Sequence, residues 1–148
     1  MQPVALPKGY ALCKASPAEL AAHICSCYAS CNVTETEVLR WQQRKTYAAD
    51  LWLAVCEEAG GQIVASGIAE LDREIGEGVL EWIQVSQEHR RRGLGQYIVL
   101  ELLRRMQEKA RFVTVSGQCD DISQPEKLYR ACGFTGDDMW HVLRERKK

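Results

Sequence analysis

Three arginines followed by Gly-Leu-Gly join a strand pattern to a helix pattern, and this junction constrains the fold more than any other stretch of the chain. The strand pattern is GVLEWIQV, residues 78–85, in which two sets of side chains alternate between faces. The helix pattern runs from Leu94 to Met106, with apolar residues at helical spacing. A helix start leaves its first N–H groups without intrahelical partners. The sequence therefore predicts an anion site at this junction.

Phosphate is the anion that best suits this stretch, residues 90–95, which we call the arginine bend. Gly93 and Gly95 lack Cβ atoms, so the backbone can curl and approach a ligand closely. The three arginines raise the local potential and can hold phosphate through two parallel hydrogen bonds. The stretch lacks the Gly-Lys-Ser/Thr of a Walker loop and the third glycine of a dinucleotide-binding motif. A charged, solvated turn before an ordinary helix is the alternative interpretation.

The rest of the chain supplies the other elements of a single predicted domain. Ser and Thr residues stand three positions before Glu at three predicted helix starts: Ser16 and Glu19, Thr34 and Glu37, and Ser123 and Glu126. Alternating stretches around them predict strands, two of them joined as a hairpin by Ala-Gly-Gly. The predicted order is β α α β β β α β α β. We expect one α+β domain over residues 1–148, with a mixed sheet and helices on both faces.

Composition restricts the possible partners. The 148 residues carry a net charge of −1, so the whole molecule has no electrostatic attraction for nucleic acid or an anionic membrane. No export signal is recognisable, and no apolar run approaches the ~20 residues that span a bilayer. The seven cysteines are an odd number. Together these features predict reduced thiols in a cytoplasmic protein.

Two motifs resemble those of the GNAT superfamily of acetyl-coenzyme A-dependent N-acetyltransferases. Arg90 to Gly95 matches the family signature Arg/Gln-x-x-Gly-x-Gly/Ala, and Val85 stands five residues earlier, where the family strand ends. The sequence LYRACGF, Leu128 to Phe134, matches a family motif on a downstream helix. The element order is similar to the family's over roughly residues 10 to 144. The resemblance implies a GNAT-like fold with a mostly antiparallel sheet and a V-shaped splay.

The resemblance also implies how acetyl-coenzyme A would bind as cosubstrate, without a metal. In the family, the loop amides hold the pyrophosphate, and the pantetheine arm pairs with the strand before the loop, where the strand splays from the next one. By position, the implied cofactor-binding residues are Ile83, Val85, Arg90, Arg91, Gly93, Gly95 and Gln96.

Two residues are the catalytic candidates. Tyr129 occupies the position of the family tyrosine, and a phenol can protonate a departing thiolate. Glu81 is the candidate base, and we expect it on one strand face with Ile83 and Val85. Its rivals are Glu70 and Glu77. Each candidate also has a structural interpretation: a tyrosine that packs a helix on the sheet, and a carboxylate on a strand surface.

One position departs from the family pattern. The family often carries Asn seven residues before the tyrosine, in contact with the cofactor arm, but here that residue is Ile122. Asp121 and Ser123 are the neighbours that would substitute. The departure bears on how tightly the cofactor binds.

Several other residues allow less specific interpretations. His23 and three nearby cysteines invite a metal site, but buried thiols are the better interpretation of Cys25, Cys27 and Cys31. A nucleophilic pair of His141 with Cys119 or Cys132 has no support from spacing. The basic end of the long helix predicts a solvated face, with Glu101 and Glu108 interleaved. The four tryptophans, Trp41, Trp52, Trp82 and Trp140, are expected in the core or along the slot.

Two functions from different classes remain. The first is an active N-acetyltransferase that moves acetyl to a primary amine by direct attack. The alternative is a non-catalytic acyl-coenzyme A-binding sensor or regulatory module on the same fold. The acceptor is a small-molecule or peptide amine, toward which Asp137 and Asp138 are candidate contacts, and the chain is expected as a monomer or homodimer. RNA binding through the arginines is a third and weaker interpretation.

Overall fold

Six strands form one mixed sheet in the computed structural model, which describes residues 4–115, 125–134 and 140–142. The strands are β1 (Tyr10–Cys13), β2 (Trp52–Glu57), β3 (Ile63–Asp72), β4 (Glu77–Val85), β5 (Phe112–Val115) and β6 (Trp140–Val142). They lie side by side in chain order, and each neighbouring pair is antiparallel except β4 and β5, which are parallel. The predicted mixed and mostly antiparallel sheet is confirmed.

Four α-helices complete the predicted order. They are α1 (Pro17–Cys27), α2 (Glu35–Trp41), α3 (Leu94–Met106) and α4 (Pro125–Ala131). Ser16 and Glu19 form both hydrogen bonds of a capping box at the start of α1, as the sequence predicted. Thr34 accepts a hydrogen bond from the Glu37 N–H at the start of α2. Ser123 lies outside the described residues, so the third predicted cap stays a prediction.

The helices cover the sheet on both sides, as predicted. α3 packs on one face through its buried side, which includes Ile98, Leu102 and Met106. α1 and α2 pack on the other face, around Ile24 and Val38. The sheet is therefore buried on both sides at its centre, and the eight residues of β3 between its two end residues are all buried.

The basic end of α3 is solvated at Lys109, as the sequence suggested, but one of its interleaved acidic residues is buried. Glu101 is only 4% exposed, and its carboxylate accepts hydrogen bonds from Arg104 and Arg105 at 2.6–2.8 Å. Arg105 also donates to the backbone carbonyl of Asp50, and Lys109 forms an ion pair with the side chain of Asp50 at 2.9 Å. These contacts fasten α3 to the short 3-10 turn Ala49–Leu51, which precedes β2.

The prediction that every cysteine is a reduced thiol is wrong for this structure. Cys13 of β1 is bonded to Cys56 of β2, and Cys25 of α1 is bonded to Cys31 in the loop after it. Sequence spacing concealed the first pair, because the antiparallel register of β1 and β2 brings together residues 43 positions apart. The predicted cytoplasmic location rested partly on reduced thiols, and it loses that support.

The described helices are all too short or too polar to cross a lipid bilayer.

Candidate active site

The arginine bend has an irregular backbone with two left-handed residues. β4 ends at Val85, and a short 3-10 turn, Gln87–His89, leads into the bend. Arg91 has φ 66° and Gly93 has φ 83°, the left-handed region that a residue with a side chain rarely occupies. Gly93 is the N-cap of α3, which begins at Leu94. The predicted transition from strand through glycine bend to helix is therefore confirmed.

This geometry presents the start of α3 to solvent. The Tyr97 N–H donates to the Gly93 carbonyl at 3.0 Å, as the first turn of the helix requires. The N–H groups of the preceding residues lie beyond the reach of the helix's own carbonyls. Gly93 and Gln96 are exposed and Gly95 is half-buried. The arrangement is suited to an anion, since the amides and the helix dipole both present positive charge.

The three arginines of the bend differ in their contacts. Arg90 donates from Nε to the Val85 carbonyl at 3.1 Å, so its side chain folds back over the end of β4. Arg92 donates from Nη1 to the Tyr10 hydroxyl at 2.8 Å, on the far side of the bend. All three are exposed. The bend thus directs Arg90 toward the strand end and Arg92 toward β1.

Gly95 brings α4 next to the bend. A Cβ atom built on Gly95 would lie 3.2 Å from Leu128 of α4 and 3.6 Å from Val85 of β4. The two sequence motifs, which are far apart along the chain, therefore meet at the end of β4. Tyr129 follows Leu128 and is 6% exposed, with its ring edge-on to Phe134 at a centroid distance of 5.7 Å. Leu128, the chain neighbour of the predicted acid, thus packs against the predicted cofactor loop.

The backbone of β4 has polar groups directed away from β3 beside this junction. The Ser86 N–H donates to the Val64 carbonyl at 2.8 Å, and hydrogen-bonded and non-hydrogen-bonded pairs alternate along antiparallel strands. In the register, Val85 and Ile83 stand opposite Ala65 and Gly67. They are the non-hydrogen-bonded pairs, so their N–H and C=O groups point toward the β5 side.

That side of β4 is open within the described residues. The described pairing of β4 with β5 runs from Glu77 to Leu80, which stands opposite Val115, the last described residue of β5. We call the β5-facing backbone of residues 81–85 the open edge. Side chains meet two of its carbonyls: Tyr28 donates to Ile83 at 3.3 Å, and Arg90 donates to Val85. Among the described residues, the open edge lies where the resemblance implies the V-shaped slot, and the splay itself stays a prediction.

A β-bulge at Glu81 changes which residues share a face of β4. Ile68 is opposite Trp82, but Ala69 is opposite Leu80, so Glu81 is an extra residue in β4. Ile83 packs with the core on the α3 side, whereas Glu81 contacts Glu70 on the α1/α2 side. The expectation that Glu81 shares a face with Ile83 and Val85 is wrong, because strict alternation fails across a bulge.

Glu81 and Glu70 form a pair of carboxyl groups on the α1/α2 side of the sheet. Burial, together with a hydrogen bond to Glu70 and the repulsion of the Glu70 charge, raises the pKa of Glu81 to about 7. Burial also acts to raise the pKa of Glu70, but hydrogen bonds from Glu81 and Thr46 and the charge of Arg44 outweigh it, so this pKa is lowered. Glu70 is therefore the charged partner, and Glu81 holds the proton that the pair shares.

Both oxygens of Glu70 are engaged. Arg44 Nη1 donates to Oε1 at 2.9 Å, and the Thr46 hydroxyl donates to Oε2. Glu77, the other rival base, lies at the opposite end of β4 and accepts a hydrogen bond from Thr114 at 2.8 Å. Of the three candidate bases, Glu81 is the one that stands beside the open edge, and its pKa is raised to about 7.

Aromatic side chains flank the carboxyl pair. Trp82 stacks on Trp41 of α2 at 5.6 Å and meets Tyr28 edge-on at 5.8 Å between ring centroids. All three rings are partly exposed, and the Arg44 guanidinium lies 6.0 Å from the Trp41 ring centroid. The prediction that tryptophans line the slot or the core is confirmed for Trp41 and Trp82. This aromatic wall, residues Tyr28, Trp41 and Trp82, suits the face of an organic cation or an apolar acceptor.

The described candidates among the cysteines and histidines, His23, Cys25, Cys27 and Cys31, do not form a nucleophilic or metal-binding site. Cys25 and Cys31 are bonded to each other, so neither offers a thiolate. Cys27 lies 3.8 Å from Nε2 of His23, but burial raises the pKa of its thiol, which favours the unreactive protonated form. Burial lowers the pKa of His23, which favours its neutral form in the same way. Among the described residues, no three His, Cys, Asp or Glu side chains are grouped to hold a metal.

Several predicted residues lie outside the described part of the chain. They are Cys119, Asp121, Ile122, Ser123, Asp137 and Asp138. Trp140 and His141 belong to β6, and only their backbone is described. The substitute for the family Asn and the acidic acceptor contacts therefore stay predictions.

Comparison with known proteins decides the family. The model of the acetyltransferase (GNAT) domain matches residues 48–136, more than half of the chain. The chain belongs to the GNAT acetyltransferases. The match includes β4, the arginine bend and the α4 motif, so the family's signature residues lie within it. No curated protein matches the sequence.

Solved GNAT structures share the fold at low sequence identity. Ard1 from Thermoplasma volcanium aligns with a TM-score of 0.71 and 17% identity, covering 93% of this chain and 99% of that one. The ribosomal-protein-S18-alanine N-acetyltransferase of Escherichia coli gives 0.68 and 15%, covering 85% and 77%. The Escherichia coli N-acetyltransferase YhbS, solved with coenzyme A, gives 0.66 and 15%, covering 97% and 86%. These similarities show the fold alone.

Three functional candidates in the structure were missed or ranked low by sequence reasoning. Glu70 was only a rival base, yet it is the charged partner of Glu81. Tyr28 and Tyr10 contact the open edge and the arginine bend from distant positions. Only Glu70 had a usable sequence signal: it lies in the strand before β4, so a hairpin register would have placed it beside Glu81.

The carboxyl pair has a measurable titration. We predict that Glu81 takes up its proton near pH 7, whereas Glu70 stays ionised to below its ordinary range. In Glu70→Gln, the repelling charge is lost, so the pKa of Glu81 falls. Carboxyl-carbon NMR titration of the ligand-free protein measures both values.

Glu77→Gln is the matched control, because Glu77 is on the same strand but bonds to Thr114. It should leave the titration of Glu81 where it is in the wild type. An unperturbed Glu81 in the wild type, or no fall in Glu70→Gln, would contradict the pairing.

Proposed function

We propose that residues 1–148 form one N-acetyltransferase domain that moves an acetyl group from acetyl-coenzyme A to a primary amine. One observation carries the proposal: the open edge of β4 leads directly into the arginine bend, and α4 contacts the bend through Leu128. An extended ligand with amides along its middle and a pyrophosphate at one end matches that sequence of groups. Coenzyme A has this composition.

The pyrophosphate would lie at the start of α3. Its oxygens would accept hydrogen bonds from the backbone of Gly93, Gly95 and Gln96, at the exposed start of the helix. Arg90 and Arg91 would supply positive charge. Neither glycine presents a side chain in the way, which is the physical reason for two glycines in the bend.

The pantetheine arm would follow the open edge as an added strand. Its amides would pair with the backbone of Ile83 and Val85, which points away from β3. Arg90 and Tyr28 now donate hydrogen bonds to the Val85 and Ile83 carbonyls, so both carbonyls can accept a hydrogen bond at this edge. The same edge offers the Val85 N–H to the oxyanion that forms on the thioester carbonyl.

The reaction is a direct transfer. The neutral amine nitrogen attacks the thioester carbon, the carbonyl oxygen takes the negative charge, and the carbon–sulfur bond then breaks. The nitrogen loses a proton to Glu81, directly or through a water. The leaving sulfur takes a proton from the Tyr129 hydroxyl, or leaves as thiolate and is protonated later. The products are the N-acetylated amine and free coenzyme A.

Glu81 is suited to the role of base by its position on the acceptor side. A base with a pKa near 7 is ionised in about half of the molecules at neutral pH and still retains affinity for a proton. The bulge directs it toward the aromatic wall rather than toward α3. The acceptor amine would therefore approach from the α1/α2 side and the acetyl donor along the open edge.

The acceptor class stays broad. Among proteins of this fold are N-acetyltransferases of ribosomal-protein-S18 alanine and of glucosamine-6-phosphate, and the NatC complex was solved bound to a Gag peptide and coenzyme A. We propose a small-molecule or peptide amine for this chain. The cytoplasmic location, the absence of nucleic-acid and membrane partners, and the monomeric or homodimeric state remain predictions.

Cofactor binding is tested by thermal unfolding. Acetyl-coenzyme A should raise the melting temperature, because a ligand that binds the folded state alone at one hundred times its Kd contributes roughly 2.7 kcal/mol. Gly95→Asp should abolish the shift, since a carboxylate would meet the pyrophosphate and crowd Leu128.

Gly60→Asp adds the same charge in the hairpin turn, where a Cβ meets nothing within 4 Å. It should keep the full ligand-induced shift. A wild-type protein that shows no shift at millimolar cofactor would contradict coenzyme A binding, and a full shift in Gly95→Asp would place the phosphate site elsewhere.

Turnover tests the role of Tyr129. Phenylalanine keeps the ring against Phe134, so folding should change by about 1–2 kcal/mol at most, the scale of one lost hydrogen bond. If the hydroxyl is the general acid, kcat should fall by roughly 10²–10⁴ while the Kd for coenzyme A hardly changes. Coenzyme A release is measured first over a broad amine panel and then on the best acceptor.

Tyr47→Phe is the control for losing a tyrosine hydroxyl, because Tyr47 packs edge-on to Trp52 away from the bend. It should turn over at the wild-type rate. A wild-type rate in Tyr129→Phe would assign the tyrosine a packing role. Tight coenzyme A binding with no turnover over the whole panel would favour the sensor function.

A further inference from the structure

One hydroxyl group contacts the chain on both sides of the Arg90–Arg91 pair. The Tyr10 hydroxyl lies 2.8 Å from Nδ1 of His89 and 2.8 Å from Nη1 of Arg92. Tyr10 belongs to β1, at the edge of the sheet and far from the bend along the chain. Its hydroxyl therefore bridges His89 and Arg92, the residues on either side of the Arg90–Arg91 pair.

The direction of one of these hydrogen bonds follows from chemistry. A guanidinium can only donate, so Arg92 donates to the Tyr10 oxygen. In the hydrogen bond between the Tyr10 hydroxyl and Nδ1 of His89, the tautomer of the imidazole decides which group donates. The other ring nitrogen, Nε2, faces Oε1 of Glu57 at 3.4 Å. The chain runs from Arg92 through Tyr10 and His89 toward Glu57.

The Arg90–Arg91 pair includes a residue with a strained backbone. Arg91 has φ 66°, the only positive φ of a residue other than glycine in the described chain. The left-handed conformation costs a residue with a Cβ atom roughly 1–2 kcal/mol, so it persists where surrounding contacts fix it. Tyr10 holds both neighbours of the Arg90–Arg91 pair and thus supplies that constraint.

We propose that Tyr10 is a positioning residue for the coenzyme A pyrophosphate. It touches no substrate atom. Its hydroxyl holds the arginine bend in the curled form that presents the α3 amides, and it draws the Arg92 side chain away from the ligand. The proposal rests on coenzyme A binding at the arginine bend, as proposed above.

The proposal gives the three arginines different functions. Arg90 and Arg91 can approach phosphate, whereas Arg92 acts through Tyr10 on the shape of the loop. If Arg92 contacted phosphate directly, the affinity lost on replacing Arg92 would be independent of Tyr10. If Arg92 acts through Tyr10, replacing either residue breaks the same hydrogen bond, so the two losses of affinity are not additive.

The test is a double-mutant cycle on ligand affinity, with Tyr10→Phe, Arg92→Met and the double variant. Isothermal titration calorimetry measures the Kd for coenzyme A. NMR titration measures the Kd for pantetheine, which lacks the pyrophosphate. Phenylalanine keeps the edge-on ring contact with His89 and removes only the hydroxyl. Tyr47→Phe, which removes a hydroxyl elsewhere, is the control.

Tyr10→Phe should raise the Kd for coenzyme A roughly tenfold, the factor that corresponds to about 1.4 kcal/mol. Pantetheine affinity should not change, because its contacts lie on β4. Arg92→Met should give a similar loss, and the double variant should add nothing to it. Amide NMR signals of the ligand-free bend should shift in both single variants, which checks the loop without any ligand.

Three outcomes would overturn the proposal. The first is wild-type coenzyme A affinity in folded Tyr10→Phe. The second is an equal loss for coenzyme A and pantetheine, which indicates general damage to the fold. The third is an additive double variant, which assigns Arg92 to the phosphate itself. A wild-type protein that binds no coenzyme A would refute the proposed function before the variants are compared.

Discussion

The backbone at the end of β4 has polar groups that neither the sheet nor a helix uses. Ile83 and Val85 direct their N–H and C=O groups away from β3, and the described pairing with β5 reaches only Leu80. Within the arginine bend, α3 starts with N–H groups that have no carbonyl within the helix. Side chains donate to two of the β4 carbonyls, and the other backbone groups are costly to bury unpaired, so they must face water or a ligand. The rest of the site is arranged around this row of donors and acceptors.

The second determinant is a single extra residue in β4. The bulge at Glu81 reverses the alternation, so Leu80 points into the α3 core while Trp82 packs with the α1/α2 helices. Glu81 consequently meets Glu70, and burial together with this partner gives Glu81 a pKa of about 7. Without the bulge, Glu81 would lie on the α3 side with Ile83, inside the main core. A local irregularity in pairing thus separates the proposed acceptor side of the sheet from the proposed donor edge.

The sequence predicted the element order and the strand–bend–helix junction well because local rules govern both. Capping at Ser16, the glycines of the arginine bend and the apolar spacing of α3 each depend on residues within a few positions. The two family motifs singled out Tyr129 and the phosphate loop, whose functions stay predictions. The structure adds that the two motifs meet through Gly95 and Leu128.

Prediction failed where distant residues meet. The Cys13–Cys56 disulfide depends on the register of β1 with β2, and the Glu70–Glu81 pair depends on the register of β3 with β4. The face of Glu81 was wrong because alternation cannot reveal a bulge. Burial of Glu101 by two arginines was missed for a related reason: a charged helix face is solvated only if nothing packs against it, and here the 3-10 turn before β2 does.

The central claim is that the open edge and the arginine bend form one continuous cradle for coenzyme A. A crystal structure of the complex tests it most directly, because it locates both ends of the ligand at once. We expect pyrophosphate oxygens within about 3 Å of the amide nitrogens at the start of α3, and pantetheine amides at similar distances from the Ile83 and Val85 backbone. Pyrophosphate bound away from residues 90–96, or a pantetheine arm that leaves the β4 backbone untouched, would contradict the account.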